Sequence, residues 1–273
     1  MNQSSIKMNQ SSITRASGAG NTFFILNLEK NRVTDQQLQA FAKKLCRQPG
    51  ISATDGLVAI ERKATHFFKW TFLNADGSYA EMCGNAARCV GRYVFDKIDP
   101  SLSFFTIETT AGEVKVERND GENISIQMRP IGEKKKIQIT SGDGIQIRGL
   151  SIDTGVPHFV TDQNLSKEDC AFIRQKSIEF PRGTNVTLIT FANVNQLSAV
   201  TFERGVEAFT PACGTGAVAA AYWAKEFLNA KGTIEVQMPG GSLTVQFHLG
   251  DNIPTLIGGA ELQFSELVDL DTL

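Results

Sequence analysis

Histidine and tryptophan are scarce in this chain, with three and two residues among 273. His66, His158 and His248 lie far apart, and none stands beside another ligand type at a spacing used to hold a metal. The five cysteines form no CxxC pair, and the step from Cys83 to Cys89 is wider than a zinc knuckle takes. No metal site is expected. No apolar run approaches membrane-spanning length, and the N-terminus lacks the apolar core of a signal peptide. Positive charge is not in excess either: 27 Lys and Arg against 29 Asp and Glu give a formal net charge of −2. That balance excludes an electrostatic nucleic-acid surface and a polybasic membrane patch. The expectation is a cytoplasmic protein with no nucleic-acid and no membrane partner, where unpaired thiols persist.

What is present is ordinary in bulk: 41% hydrophobic and 21% charged residues, enough for one large or two modest domains. The 18 Phe against three Tyr read as core filling. Two cysteines stand out by setting. Cys83 lies in Glu81-Met82-Cys83-Gly84-Asn85-Ala86-Ala87-Arg88-Cys89, and Cys213 in Thr210-Pro211-Ala212-Cys213-Gly214-Thr215-Gly216-Ala217. Each is followed by Gly, a small polar residue (Asn85, Thr215) and a small-residue run, the pattern of a turn feeding a helix N-terminus. There a thiol meets unpaired N–H groups and the positive helix end, which favour thiolate. The same N–H groups, at Gly84-Asn85 and Gly214-Thr215, suit a carboxylate. The two thiols are expected to face each other across one substrate.

The remainder orders itself around these motifs. Met1–Ile6 recurs as Met8–Ile13, so residues 1–13 read as a disordered leader. Leu38, Phe41, Ala42 and Leu45 fall at helical spacing after Thr34, a suitable N-cap, and Pro49-Gly50 ends that helix. A short helix is expected near Ser166–Lys176. Residues 129–144, with Pro130 and Glu133-Lys134-Lys135-Lys136, read as a solvated linker in preference to a docking patch. The two Cys positions differ by 130, and at that offset Thr71-Phe72 meets Thr201-Phe202; at 129, Asp55–Ile60 overlies Thr184–Ile189. Strand, turn, Cys and helix thus recur once, which predicts two pseudo-symmetric domains and no solenoid.

Four segments together resemble diaminopimelate epimerase, a cofactor-independent amino-acid epimerase family. They are Gly18-Ala19-Gly20-Asn21; Phe72–Ser78 running into Met82-Cys83-Gly84-Asn85; Gly183-Thr184-Asn185; and Glu203-Arg204-Gly205-Val206 running into Ala212-Cys213-Gly214-Thr215-Gly216. They span residues 18–216 in family order. The resemblance implies an α/β (α+β) fold of two halves, each a curled, mainly antiparallel sheet around a central helix. The halves are expected at 14–128 plus 260–273 and at 129–259, the last strand returning to the first half. Cys83 and Cys213 would be the acid–base pair, with Glu203 and His158 beside the reacting centre. Asn21, Asn74, Asn185 and Arg204 would bind substrate together with Gly84, Asn85, Gly214 and Thr215. The implied reaction interconverts LL- and meso-diaminopimelate, in lysine and peptidoglycan-precursor biosynthesis. Homodimerisation is an expectation of the family alone.

The residues suit that chemistry. Inverting Cα takes a base on one face and an acid on the other, and two thiols supply both without a cofactor; no lysine is set for a pyridoxal Schiff base. Arg204 offers a planar fork for a distal carboxylate. Cys46, Cys89 and Cys170 read as packing. Two departures stand against the family pattern. Val156 replaces the usual Asn before Pro157-His158, so a shorter dicarboxylic amino acid such as glutamate is an alternative substrate. The turn Gly50–Gly56 is one residue longer than usual. Three further readings compete: a dinucleotide turn at Gly214-Thr215-Gly216-Ala217-Val218-Ala219 with Glu235, a hydrolase pairing Cys213 with His158 or His248, and a non-catalytic binder of acidic amino acids.

Overall fold

The computed structural model describes residues 10–29, 33–47, 53–141, 144–176, 178–248, 250 and 252–270. The chain divides into two compact units, one running to Ile124 and taking in residues from Gly259 onward, the other Ser125–Gly258.

The first unit contains β1 (Gln10–Gly18), β2 (Asn21–Asn27), α1 (Asp35–Leu45), β3 (Gly56–Ala64), β4 (Phe67–Asn74), α2 (Gly84–Tyr93), β5 (Phe104–Thr109) and β6 (Gly112–Arg118). Neighbours β1–β2, β3–β4 and β5–β6 are antiparallel, whereas β2–β3 and β4–β5 are parallel. A parallel step needs a crossover, and α1 and α2 supply the two. After β7 (Asn123–Gln127), the second unit runs through β8 (Lys134–Thr140), β9 (Gln146–Asp153), β10 (Pro157–Thr161), α3 (Lys167–Arg174), β11 (Asn185–Asn193) and β12 (Gln196–Glu203). It continues with β13 (Ala208–Thr210), α4 (Gly214–Leu228), β14 (Thr233–Met238), β15 (Gly241–Gln246) and β16 (Thr255–Gly259). Here β10–β11 and β12–β14 are the parallel steps, crossed by α3 and α4. The last strand, β17 (Glu261–Asp269), pairs antiparallel with β1 in the first unit, Gln10 opposite Asp269.

The repeat is therefore topological. Phe67 faces Thr106 and Gln196 faces Glu235; Phe104 faces Glu117 and Thr233 faces Gln246; in both comparisons the offset is 129. The sequence match of Thr71-Phe72 with Thr201-Phe202, at 130, is thus one residue out of register. The extra residue enters between β12 and Cys213, where β13 folds back on β12 with Thr210 opposite Thr201.

Packing explains the helices. Thr34 caps α1 as expected: its Oγ1 accepts from Gln37 N at 3.3 Å and Gln37 Oε1 from Thr34 N at 2.9 Å, a capping box. Leu38, Phe41, Ala42 and Leu45 bury against Phe24, Leu26, Leu57 and Leu73, the leucines and the phenylalanine each worth roughly 2 kcal/mol as an upper figure. Ser166 caps α3 in the same way, and Cys170 and Ile173 pack on Ile147, Phe159 and Phe202. α2 and α4 are buried nearly all round, as helices wrapped by strands must be. Their small residues allow it: a Cβ on Gly91 would lie 2.7 Å from Ile124 and 2.8 Å from Val116. α2 runs on into a turn of π-helix, Val94–Ile98.

Two expectations are corrected. Gln10–Ile13 belong to β1 and not to a disordered leader, with Ile13 fully buried; residues 1–9 lie outside the described chain. The lysine run is no linker but the start of β8, antiparallel to β9. Its side chains cover the aromatic end of α4, Lys134 Nζ 5.0 Å from the Tyr222 ring and Lys136 Nζ 4.5 Å from the Phe227 ring. Pro49-Gly50 and the first three residues of the Gly50–Gly56 turn fall outside the described residues.

Candidate active site

In the second unit, Cys213 is the N-cap of α4, extended at φ −135° and ψ 106°, and its Sγ accepts from Gly216 N at 3.4 Å. Gly216 has no alternative: a Cβ there would sit 2.3 Å from Thr201 Oγ1 and 3.3 Å from Cys213 Sγ. Thr215, the second residue of the helix, reaches both ways. Its Oγ1 is 3.4 Å from Cys213 Sγ and 3.0 Å from His158 Nε2. The other ring nitrogen of His158, Nδ1, is 3.0 Å from Thr187 Oγ1, which is 3.1 Å from Thr201 Oγ1. Asn185 Nδ2 donates to Pro157 O at 3.2 Å and approaches His158 Nε2 at 3.5 Å, while its Oδ1 accepts from Arg204 N at 2.8 Å. Glu203 Oε1 accepts from Thr210 Oγ1 at 2.6 Å. The exposed Arg204 guanidinium donates to Arg182 O. Within this unit, therefore, Cys213, Gly214, Thr215, His158, Asn185, Glu203 and Arg204 stand on adjoining strand ends around one helix start.

Burial governs the electrostatics of this unit's site. Burial pushes the Cys213 thiol up to about 12, the nearby Glu203 carboxylate adds to this, and the contact with Thr215 and the hydrogen bond from Gly216 N only partly oppose it. The helix terminus is outweighed, and Cys213 stands as a thiol. His158, fully buried, is pushed down to about 3 by desolvation; Asp153 pulls it up and Arg204 adds to the fall. The imidazole is neutral.

In the first unit Cys83 is the N-cap of α2, extended at φ −141° and ψ 122°, and partly exposed. Behind it the amides run in one direction. Arg88 Nη2 donates to Asn85 Oδ1 at 2.8 Å, Asn85 Nδ2 to Asn21 Oδ1 at 2.6 Å, and Asn21 Nδ2 to Asp55 Oδ2 at 3.2 Å. Gly84 opens the helix, its carbonyl 3.5 Å from Arg88 Nη1. Asn74 ends β4 in a turn, Nδ2 donating to Ser78 Oγ at 3.0 Å. Unlike Asn21 and Asn85, it takes no part in the amide chain.

A model of the family described as diaminopimelate epimerase matches residues 13–132 and 150–262, both half-sites included. The chain belongs to the diaminopimelate epimerase family. It is 37% identical over 223 residues to the diaminopimelate epimerase of Hydrogenobaculum sp., covering 76% of this chain and 80% of that protein. Against the diaminopimelate epimerase of Carboxydothermus hydrogenoformans it is 33% identical over 264 residues, 90% of this chain and 95% of the relative. Among solved structures, a hydroxyproline epimerase from Agrobacterium vitis with bound trans-4-hydroxy-L-proline superposes with a TM-score of 0.69 at 16% identity, covering 96% and 93% of the two chains. That likeness is one of fold.

Membership of the diaminopimelate epimerase family agrees with details that the competing readings leave unexplained. The segment before Gly214-Thr215-Gly216 is β13, antiparallel to β12, where a dinucleotide turn needs a parallel strand. His158 meets Cys213 only through Thr215, and His248 bonds Thr255 Oγ1 at 3.3 Å, so neither is set as the base of a hydrolase. Val156 lies in the bend between β9 and β10, where its carbonyl accepts from Thr154 N at 3.2 Å. Sequence reasoning missed Arg88, Thr187 and Thr201. Arg88 had a signal, a charge among the small residues of a buried helix; two threonines in β-strands had none.

Proposed function

We infer that this protein epimerises LL- and meso-diaminopimelate by a two-base mechanism at Cα, with Cys83 and Cys213 as base and acid. The observation that supports it most is the recurrence, within a chain of this family, of a thiol at the N-cap of the corresponding helix in each unit. Such a reaction needs both thiols at one Cα. In one direction a Cys83 thiolate takes the Cα proton, and the Cys213 thiol delivers its own proton to the opposite face. The roles exchange in reverse. Charge developing between the two steps spreads into the α-carboxylate. The N–H groups that open α2 and α4 suit it, and donors of this kind contribute roughly 3 kcal/mol each.

Cys213 standing as a thiol supports its starting as the acid. His158 and Glu203 would act beside it, His158 through Thr215 and Glu203 through its field. Asn185 and Arg204 would hold the substrate from the second unit, Asn21, Asn74 and Asn85 from the first. The relatives named are diaminopimelate epimerases, which favours diaminopimelate over glutamate despite Val156. The reading gives the protein a place in lysine and peptidoglycan-precursor synthesis in the cytoplasm; among the described residues no helix is long and apolar enough to cross a membrane.

The test is deuterium incorporation from solvent at Cα of LL-diaminopimelate, with wild type, Cys83→Ser and Cys213→Ser. Exchange in wild type and loss of epimerisation in both variants is expected. Exchange absent from wild type would make the protein a binder, and full activity in either variant would remove the two-base mechanism.

A further inference from the structure

Behind Cys213 lies a hydrogen-bonded chain longer than acid–base chemistry at one thiol requires. From Cys213 Sγ it passes to Thr215 Oγ1, through the ring of His158, to Thr187 Oγ1 and Thr201 Oγ1, with links of 3.4, 3.0, 3.0 and 3.1 Å. His158, Thr187 and Thr201 are fully buried. We propose that Thr187 and Thr201 are positioning residues that fix the tautomer of His158 and thereby hold Cys213 as the proton donor.

The direction of each link follows from counting protons. Arg204 N–H donates to Asn185 Oδ1 at 2.8 Å, which turns the Asn185 amide so that Nδ2–H faces Pro157 O and His158 Nε2. A donor aimed at Nε2 makes that nitrogen the acceptor. A neutral imidazole then carries its proton on Nδ1 and donates to Thr187 Oγ1, and Thr187 passes its own proton to Thr201 Oγ1. Thr215 has a single hydroxyl proton, which Nε2 claims. The Thr215 oxygen is left to accept, and its side-chain neighbour on that side is the thiol of Cys213, 3.4 Å away. The network is complete when Cys213 is protonated. As a thiolate, Cys213 would compete with His158 for the Thr215 proton. In the opposite tautomer, Nε2–H would donate to Thr215 and free its hydroxyl to stabilise the thiolate.

This deepens the reading of Cys213 as acid and rests on it. Removing the acceptor at Thr187 releases the tautomer, because an orphaned buried N–H at Nδ1 costs more than a bare ring nitrogen. The charged groups around the chain, Asp153 and Arg204 at His158 and Glu203 at Cys213, are unchanged in such a variant. The experiment compares wild type, Thr187→Val and Thr187→Ser on the full chain without substrate, by 15N NMR of the histidine rings and by peptide-resolved iodoacetamide labelling of Cys213 against pH. Wild type is expected to carry the His158 proton on Nδ1. Thr187→Val should move it to Nε2 and speed Cys213 labelling at pH 8 about tenfold, one unit of thiol pKa; Thr187→Ser should restore both. An Nε2 proton in wild type, or unchanged labelling in Thr187→Val with its fold intact by circular dichroism, would overturn the proposal. Neither readout needs turnover. Activity surviving in Cys213→Ser would instead sink the two-base mechanism and leave the tautomer result standing.

Discussion

Arg88 and Asn85, three residues apart on α2, are joined by a hydrogen bond of 2.8 Å from Nη2 to Oδ1, and the Arg88 side chain has no exposed surface. Burial holds its guanidinium below its ordinary range, with attraction to Cys89 and Cys83 opposing. A charge kept out of water in this way is expensive, and its hydrogen bonds go to Asn85 and Gly84, which open the helix, and to the Gly259 carbonyl at 3.5 Å.

Arg88→Met keeps the volume but leaves Asn85 Oδ1 without its donor. A loss of about 2 kcal/mol of stability by urea unfolding is expected, from one buried acceptor left unpaired. Turnover should fall at least about tenfold as the Asn85 amide loses its orientation. Unchanged stability and rate would show the arginine to be mere packing.

The two N-cap thiols should label unequally. Cys213 is 8% exposed and its thiol is pushed up to about 12. At pH 8 its thiolate fraction is on the order of a thousandfold below that of a free thiol. Iodoacetamide mapping by mass spectrometry should therefore find Cys83 modified well before Cys213. Equal rates would contradict the burial argument.

Stability should fall on both sides of neutrality. His158 is held near 3, below its unfolded value, so its contribution is full above pH 6.5 and is lost as pH falls through the acid range. Cys89 and Cys213 are held near 12, above their unfolded values; their contribution is full below pH 8.5 and is lost as pH rises beyond it. Each group gives a limiting slope of about 1.4 kcal/mol per pH unit. Unfolding midpoints against pH should show a flatter acid limb in His158→Gln and a flatter alkaline limb in Cys89→Ala.

Gly216→Ala inverts a usual rule. In an ordinary helix interior this change stabilises by about 1 kcal/mol. Here the new Cβ meets Thr201 Oγ1 at 2.3 Å, so the variant should be destabilised and lose activity. Thr201→Ala in the same chain should recover part of the stability, measured by thermal melting. A stable, active single variant would mean that α4 shifts freely.

Local signals were legible in the sequence, and those that depend on distant partners were not. Thr34 with its apolar spacing gives α1 because cap and stripe lie within a few residues, and the two Cys-Gly motifs mark their helices for the same reason. The lysines of β8 looked solvated because the rings that receive them, Tyr222 and Phe227, are remote in sequence. Which cysteine stands as the thiol was hidden likewise: the helix terminus is local, whereas the desolvation that outweighs it at Cys213 comes from the whole unit. The repeat was visible, but a one-residue insertion before Cys213 hid the register of the strands.

The pairing of β17 with β1 has a further consequence, for the order of assembly. The second unit is one continuous stretch of chain, whereas the first waits for its last strand. As the polypeptide leaves the ribosome, β1 emerges with one edge unpaired and stays so until the whole second unit has followed. An exposed strand edge invites pairing with other chains. A nascent protein stalled before Glu261 is thus the form most in need of a chaperone, and its aggregation should cease once β17 is out.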